Sequence, residues 1–186
     1  MGTIDGIAQT LKRLKHTDPR LIYGTAWKKA ATAALVELAI RQGFRGIDTA
    51  CQPKHYHEPG VGEGVAACLS DQLTRADLYL QTKFTPISGQ DLARVPYDPN
   101  ATLSEQVLQS FAISLLNLQT SYVDCLLLHS PLSNAAQTLE VWQAMESLVA
   151  SGSVRQIGIS KIRARITASV APLRADQASR RAESVH

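Results

Sequence analysis

The 186-residue chain has no run of eighteen apolar residues, so nothing in it reads as a membrane-spanning helix. Residues 1–15 lack the long apolar stretch of a secretory signal, and the start MGTIDG puts Gly6 where a myristoylation signal requires Ser or Thr. A cytoplasmic location is the expectation. Cysteine is scarce: Cys51, Cys68 and Cys125 are odd in number, far apart and without a CxxC pair. That pattern argues against a disulfide framework or a zinc ribbon and leaves reduced thiols. Strong single-sign charge is missing from most of the chain. Residues 161–186 hold six Lys or Arg against two acids, net +4, which leaves −1 for residues 1–160. These arginines are scattered and have no interleaved aromatics, so the basic stretch reads as a solvated tail, with no nucleic-acid or membrane partner.

What is present suits a globular domain with a core: 45% hydrophobic and 19% charged residues. Apolar segments alternate in type along the chain. Strands are predicted over residues 21–27 (LIYGTAW), 46–50, 77–84 (DLYLQTKF), 122–130 (YVDCLLLHS) and 154–160 (VRQIGIS). Helices are predicted between them, over 29–42, 58–70, 103–118 and 136–151, with Gly43 and Gly152 as stops. Near-continuously apolar strands separated by helices mean parallel strands covered by helices, hence an α/β fold. Ile4, Ile7, Leu11 and Leu14 recur at helical spacing in an N-terminal extension, residues 1–19. Ile162, Ile166 and Val170 form a similar stripe that Pro172 ends, and a disordered composition follows.

Two parallel architectures are compatible with this alternation. A dinucleotide-binding doubly wound sheet would place GxGxxG directly after the first strand, and it is absent there. Gly60, Gly62 and Gly64 come close to the pattern but follow HYHEP, and read as a turn entering a helix. In a β/α barrel the reactive residues stand at the C-terminal ends of successive strands. Asp48, Lys83 and His129 each lie near the end of a predicted strand, and Tyr56 lies in the loop after the second.

The ordered segments GFRGIDTA, HYHEPGVGEG, LQTKF and LLLHSP resemble the aldo-keto reductases, and YGTAW is similar to that family's first strand end. The resemblance covers about residues 21–160. It implies a (β/α)8 TIM-type barrel and NADPH-dependent reduction of aldehydes or ketones, with Asp48, Tyr56, Lys83 and His129 as the catalytic set. It also implies that Gly24, Thr25, Ala26, Asp48 and Ser160 lie against the nicotinamide half of the cofactor. CQPKH lengthens the gap between Asp48 and Tyr56 relative to the family pattern, and Lys161 stands where the family has asparagine. Five strands are offered before the pattern changes, so the expectation is a partial barrel over residues 1–160 and a basic tail over 161–186. An unclosed sheet would expose apolar side chains of the fourth and fifth strands. That implies self-association or pairing with a full-length relative. The alternative function is a non-catalytic reductase-like chain acting as an interaction or regulatory partner, or an unstable fragment.

The family chemistry accounts for these residue types. Hydride arrival builds negative charge on a carbonyl oxygen, so a positioned acid must share a proton with it. Tyr56 is the donor that the resemblance implies. Lys83 is expected to lower its pKa, with Asp48 holding Lys83 and His129 orienting the carbonyl. Taken singly, each has a plainer role: Asp48 as a loop cap, Tyr56 half-buried with a wet hydroxyl, Lys83 as a solvated strand end, His129 as a structural histidine. A zinc site from His55, His57 and His129 lacks a Cys or carboxylate at ligand spacing, so no metal is expected.

Overall fold

The computed structural model describes Pro19 and residues 21–161. The helical stripes of the N-terminal extension and of residues 162–170 lie outside the described residues. Within them, strands β1 (Ile22–Gly24), β2 (Gly46–Asp48), β3 (Tyr79–Phe84), β4 (Val123–Leu128) and β5 (Val154–Ile159) alternate with four helices. These are α1 (Thr32–Arg41), α2 (Glu58–Ala66), α3 (Leu103–Leu118) and α4 (Ala135–Ala150). The strands form one sheet in chain order, and every pairing is parallel. A doubly wound sheet would reverse its order at a switch point, whereas in-order parallel strands with a helix in each crossover are successive units of a β/α barrel. None of the described helices is long and apolar enough to cross a membrane.

Local sequence sets the ends of these elements. At α3, Thr102 Oγ1 accepts from Glu105 N while the Glu105 carboxylate accepts from Thr102 N, a reciprocal capping box. Gln119 ends the helix in the left-handed conformation, φ 53°. The first strand is shorter than the predicted 21–27, because Trp27 (φ 66°) and Lys29 (φ 50°) turn the backbone out of extension. A 3₁₀ turn over Lys29–Ala31 then precedes α1, where sequence periodicity alone reads a helix from residue 29.

Gly60, Gly62 and Gly64 lie inside α2, which starts at Glu58 within the helix predicted over 58–70; the reading of these glycines as a turn entering a helix gives way to it. A Cβ on Gly62 would collide with the Asn117 carbonyl oxygen and the Leu118 backbone of α3, and one on Gly64 with the Ala33 carbonyl of α1. Helix-interior glycine costs about 1 kcal/mol relative to alanine. The gain is backbone-to-backbone approach, which lets α2 sit tightly between its neighbours.

The core lies between the sheet and the helices. Leu80 and Phe84 of β3 and Leu126 and Leu128 of β4 pack with Val61, Val107, Phe111 and Met145 of the helices. Alternation along β3 then turns Tyr79, Gln81 and Lys83 to the other face. That face is polar: Gln81 Nε2 donates to Asp48 Oδ1 at 2.8 Å, and Gln156 Nε2 to Tyr79 Oη at 3.4 Å. The register aligns Gly24, Asp48, Gln81, Cys125 and Gln156 in one row. Leu127 of β4 shares that face through its register with Lys83 and is half-buried. Val123, Leu126, Leu128 and Val154 are buried, and no large apolar side chain of β4 or β5 is exposed. At the opposite end of the sheet, buried Asp124 accepts from Arg75 and Arg155, each at 2.8 Å, and from Leu80 N. The Tyr122 ring is flanked by the two guanidinium groups, 4.1 and 4.4 Å from its centroid.

Gly62→Ala should force α2 away from the α3 backbone and lower stability by about 1–3 kcal/mol, the usual cost of overpacking. Urea unfolding measures it; an unchanged midpoint would show that the α2–α3 contact is loose.

Candidate active site at the strand ends

Backbone pairing continues past the strand ends and roots each following loop. Thr25 N donates to Asp48 O, Cys51 N to Lys83 O, His129 N to Phe84 O and Ser160 N to Leu128 O. Gly24, Asp48, Lys83, His129 and Ser160 are thereby held at the C-terminal ends of five adjacent strands, the face on which β/α barrels carry their sites.

The centre of this face is an ion pair. Lys83 Nζ stands 2.6 Å from both Asp48 oxygens and 2.7 Å from Thr49 O, so its three donors are all engaged. Lys83 is buried, and burial pulls its pKa below the ordinary ammonium value while Asp48 opposes that fall. Gln81 closes the other side of Asp48.

Tyr56 lies above this pair. Its ring centroid is 5.0 Å from Lys83 Nζ and 6.1 Å from the His129 ring, which it meets edge-on at 73°. The phenol's pKa is raised, first by burial and then by the negative charge of Asp48. Burial and Asp48 together outweigh the lowering expected from Lys83. The ammonium gives its hydrogens to Asp48 and Thr49 and faces the ring of Tyr56. Tyr56 therefore keeps its proton at neutral pH.

His129 is buried, and its Nδ1 lies 2.8 Å from Thr85 Oγ1. Burial, then the positive charges of Lys83 and Lys161, lower its pKa to about 4, so the imidazole is neutral at pH 7. Thr85 is fixed in turn: its carbonyl accepts from Tyr97 Oη and Gln90 Nε2.

The remaining expected residues divide. Gly24 is exposed, and a Cβ there would meet nothing within 4 Å, so space opens directly over the strand end. Ala26, two residues on, is partly exposed, as is Ser160 at the far edge of the sheet after β5. Thr25 is fully buried and donates its hydroxyl to Asp48 O, which braces the strand end. Lys161 takes the left-handed φ of 55°. His55 stacks on Trp27, centroids 3.9 Å apart, and its carbonyl accepts from Trp27 N at 2.7 Å. Among the described residues no three His, Cys, Asp or Glu side chains are placed to hold a metal ion.

Sequence reasoning missed Gln81, Thr85 and Glu58. The first two carried a usable signal, since they stand two residues either side of Lys83. Glu58 carried only its place at the start of a helix.

The model of the aldo/keto reductase family matches residues 20–181. The chain belongs to the aldo/keto reductase family. It is similar to the uncharacterized oxidoreductase YtbE of Bacillus subtilis (strain 168), 32% identical over 126 residues, covering 67% of this chain and 39% of that protein. It is also similar to the NAD(P)H-dependent D-xylose reductase of Pachysolen tannophilus, 28% identical over 161 residues, covering 73% and 46%. The chain thus spans less than half the length of these relatives. Among solved structures, the Bombyx mori aldo-keto reductase in complex with NADP superposes with a TM-score of 0.67 at 26% identity, over 82% of this chain and 50% of that one.

The His129 environment makes a testable contribution to stability. Its folded pKa, about 4, lies below the ordinary 6.5. As pH falls from 6.5 toward 4 the unfolded chain takes up a proton that the folded chain does not, so stability declines through that window. His129→Asn should flatten this part of the urea-unfolding profile between pH 7 and 4.5; an unaltered slope would mean that the imidazole titrates normally.

Proposed function

We propose that this chain reduces aldehydes or ketones to alcohols with NADPH, Tyr56 serving as the general acid. The observation that carries this reading is the convergence of Asp48, Lys83, Tyr56 and His129 on one strand-end face. The family membership and the reductase named among the relatives support a catalytic role over a purely interacting one.

The residues present fit the nicotinamide end of the cofactor. Gly24 leaves room over the end of β1, Ala26 follows it in the same loop, and Ser160 is partly exposed at the end of β5 on the same face of the sheet. When bound, NADPH would supply the hydride, which no side chain can. The chain's own residues then handle the carbonyl oxygen. Neutral His129 is oriented by the Nδ1–Thr85 Oγ1 hydrogen bond; in the tautomer where the hydroxyl donates to Nδ1, Nε2 carries the ring hydrogen and offers it to that oxygen. Tyr56, kept protonated by its surroundings, gives its hydroxyl proton as negative charge builds. Lys83 does not activate the phenol through its hydroxyl; its positive charge, held in place by Asp48, stabilises the phenolate left behind. The substrate is a small carbonyl compound, and the cytoplasm is the compartment in which this chemistry is proposed.

Tyr56→Phe should cut NADPH-dependent aldehyde reduction by about 10²- to 10⁴-fold, the usual value of a positioned proton donor, with far-UV circular dichroism unchanged. Retained turnover would remove Tyr56 from the role. Titration of NADPH, followed by its fluorescence, should show weak saturable binding, because the described residues supply contacts for the nicotinamide end only. Tight binding would overturn that expectation, and no binding at all would remove NADPH from the reading.

A further inference from the structure

Glu58 is the first residue of α2 and lies two positions after Tyr56, yet the reaction above makes no use of it. Its side chain is buried, with 3% of the residue exposed. It accepts hydrogen bonds from Thr82 Oγ1 at 2.5 Å, Ser114 Oγ at 3.1 Å and Asn117 Nδ2 at 3.1 Å. Thr82 precedes Lys83 on β3 and points to the opposite face, while Ser114 and Asn117 belong to α3. One carboxylate therefore joins three elements: the loop that carries Tyr56, the strand that carries Lys83, and the helix behind them.

On the other side of Tyr56 the loop has a second anchor. Gln52 is buried, its carbonyl accepts from Tyr56 N and His55 N, and its amide donates to Gly89 O. Tyr56 is thus suspended between Gln52 and Glu58, across the extra residues that CQPKH adds.

A purely stabilising role explains Glu58 poorly. Burying a carboxylate among neutral donors is costly, and an apolar side chain of similar volume would fill the same place at less cost. Burial indeed pushes its carboxyl pKa up, opposed by the hydroxyl and amide donors, and its charge adds to that of Asp48 in keeping Lys83 protonated. What an apolar residue could not supply is directional attachment to Thr82.

We propose that Glu58 is a positioning residue for the reaction: through Thr82 and α3 it fixes the Tyr56 loop relative to Lys83. This rests on the reading of Tyr56 as the acid. Displacing a reacting group by about 1 Å can cost on the order of 10²-fold in rate, so loss of the tie should appear in turnover ahead of substrate affinity.

The test uses the full chain labelled with 13Cζ-tyrosine, the Tyr56 signal being assigned by its disappearance in Tyr56→Phe. In Glu58→Ala the Tyr56 signal should shift and broaden while those of Tyr97 and Tyr122 hold. kcat should fall at least about tenfold with the aldehyde KM within about twofold, as expected for displacement of a reacting group. Glu58→Gln keeps an acceptor for Thr82 and Ser114 and should restore most of kcat. Thr82→Val, nearly isosteric, breaks the single link to β3 and covers the case in which Glu58→Ala does not fold. An unmoved Tyr56 signal and unaltered kcat in a folded Glu58→Ala or Thr82→Val variant would overturn the proposal, even if those variants melt early. If the Tyr56 signal responds but the unsubstituted chain reduces no carbonyl with NADPH, the positioning stands and the reductase reading falls. If turnover depends on Tyr56 but ignores both substitutions, the positioning alone falls.

Discussion

The site depends on one buried ion pair, Lys83 with Asp48. Removing an ammonium and a carboxylate from water costs several kcal/mol per ion, and their attraction repays this only when the remaining donors and acceptors are satisfied. Here they are: Lys83 Nζ contacts both Asp48 oxygens and Thr49 O, and Gln81 donates to the carboxylate. Loss of either partner of such a pair leaves an uncompensated buried charge, a penalty of about 3–5 kcal/mol. The pair is possible because β2 and β3 are adjacent parallel strands whose register aligns Asp48 with Gln81, two residues before Lys83.

From that pair the electrostatics of the site follow. Because the hydrogens of the ammonium are committed, its charge acts at a distance, facing the ring of Tyr56 and depressing the basicity of His129. Asp48 helps hold the proton on Tyr56. One cation, one anion, a protonated phenol and a neutral imidazole can coexist at pH 7 only with this division of charge, and together they suit an oxygen on which negative charge is about to form.

Packing places the phenol. Glycines in α2 allow that helix to approach the backbones of α1 and α3, which brings Glu58 within reach of Ser114 and Asn117. The same glycines could be mistaken for a phosphate loop in a one-dimensional reading. Their actual requirement is steric and sits on the helix side of the sheet, away from Lys83 and Asp48.

The sequence by itself determined the α/β class, the count and order of the described elements, and the candidates Asp48, Tyr56, Lys83 and His129. Those properties follow from hydrophobic periodicity and from reactive residues recurring near strand ends, both of which are local in the chain. Only the tertiary structure decided how these residues act on one another. The direction of the Tyr56 shift depends on its burial and on the nearby charge of Asp48; the burial of Thr25 goes with its hydroxyl meeting Asp48 O. The row of Gly24, Asp48, Gln81, Cys125 and Gln156 depends on register across five strands. Pairwise distances, burial and hydrogen-bond partners belong to residues separated by as many as 77 positions in the chain, and no local pattern encodes them.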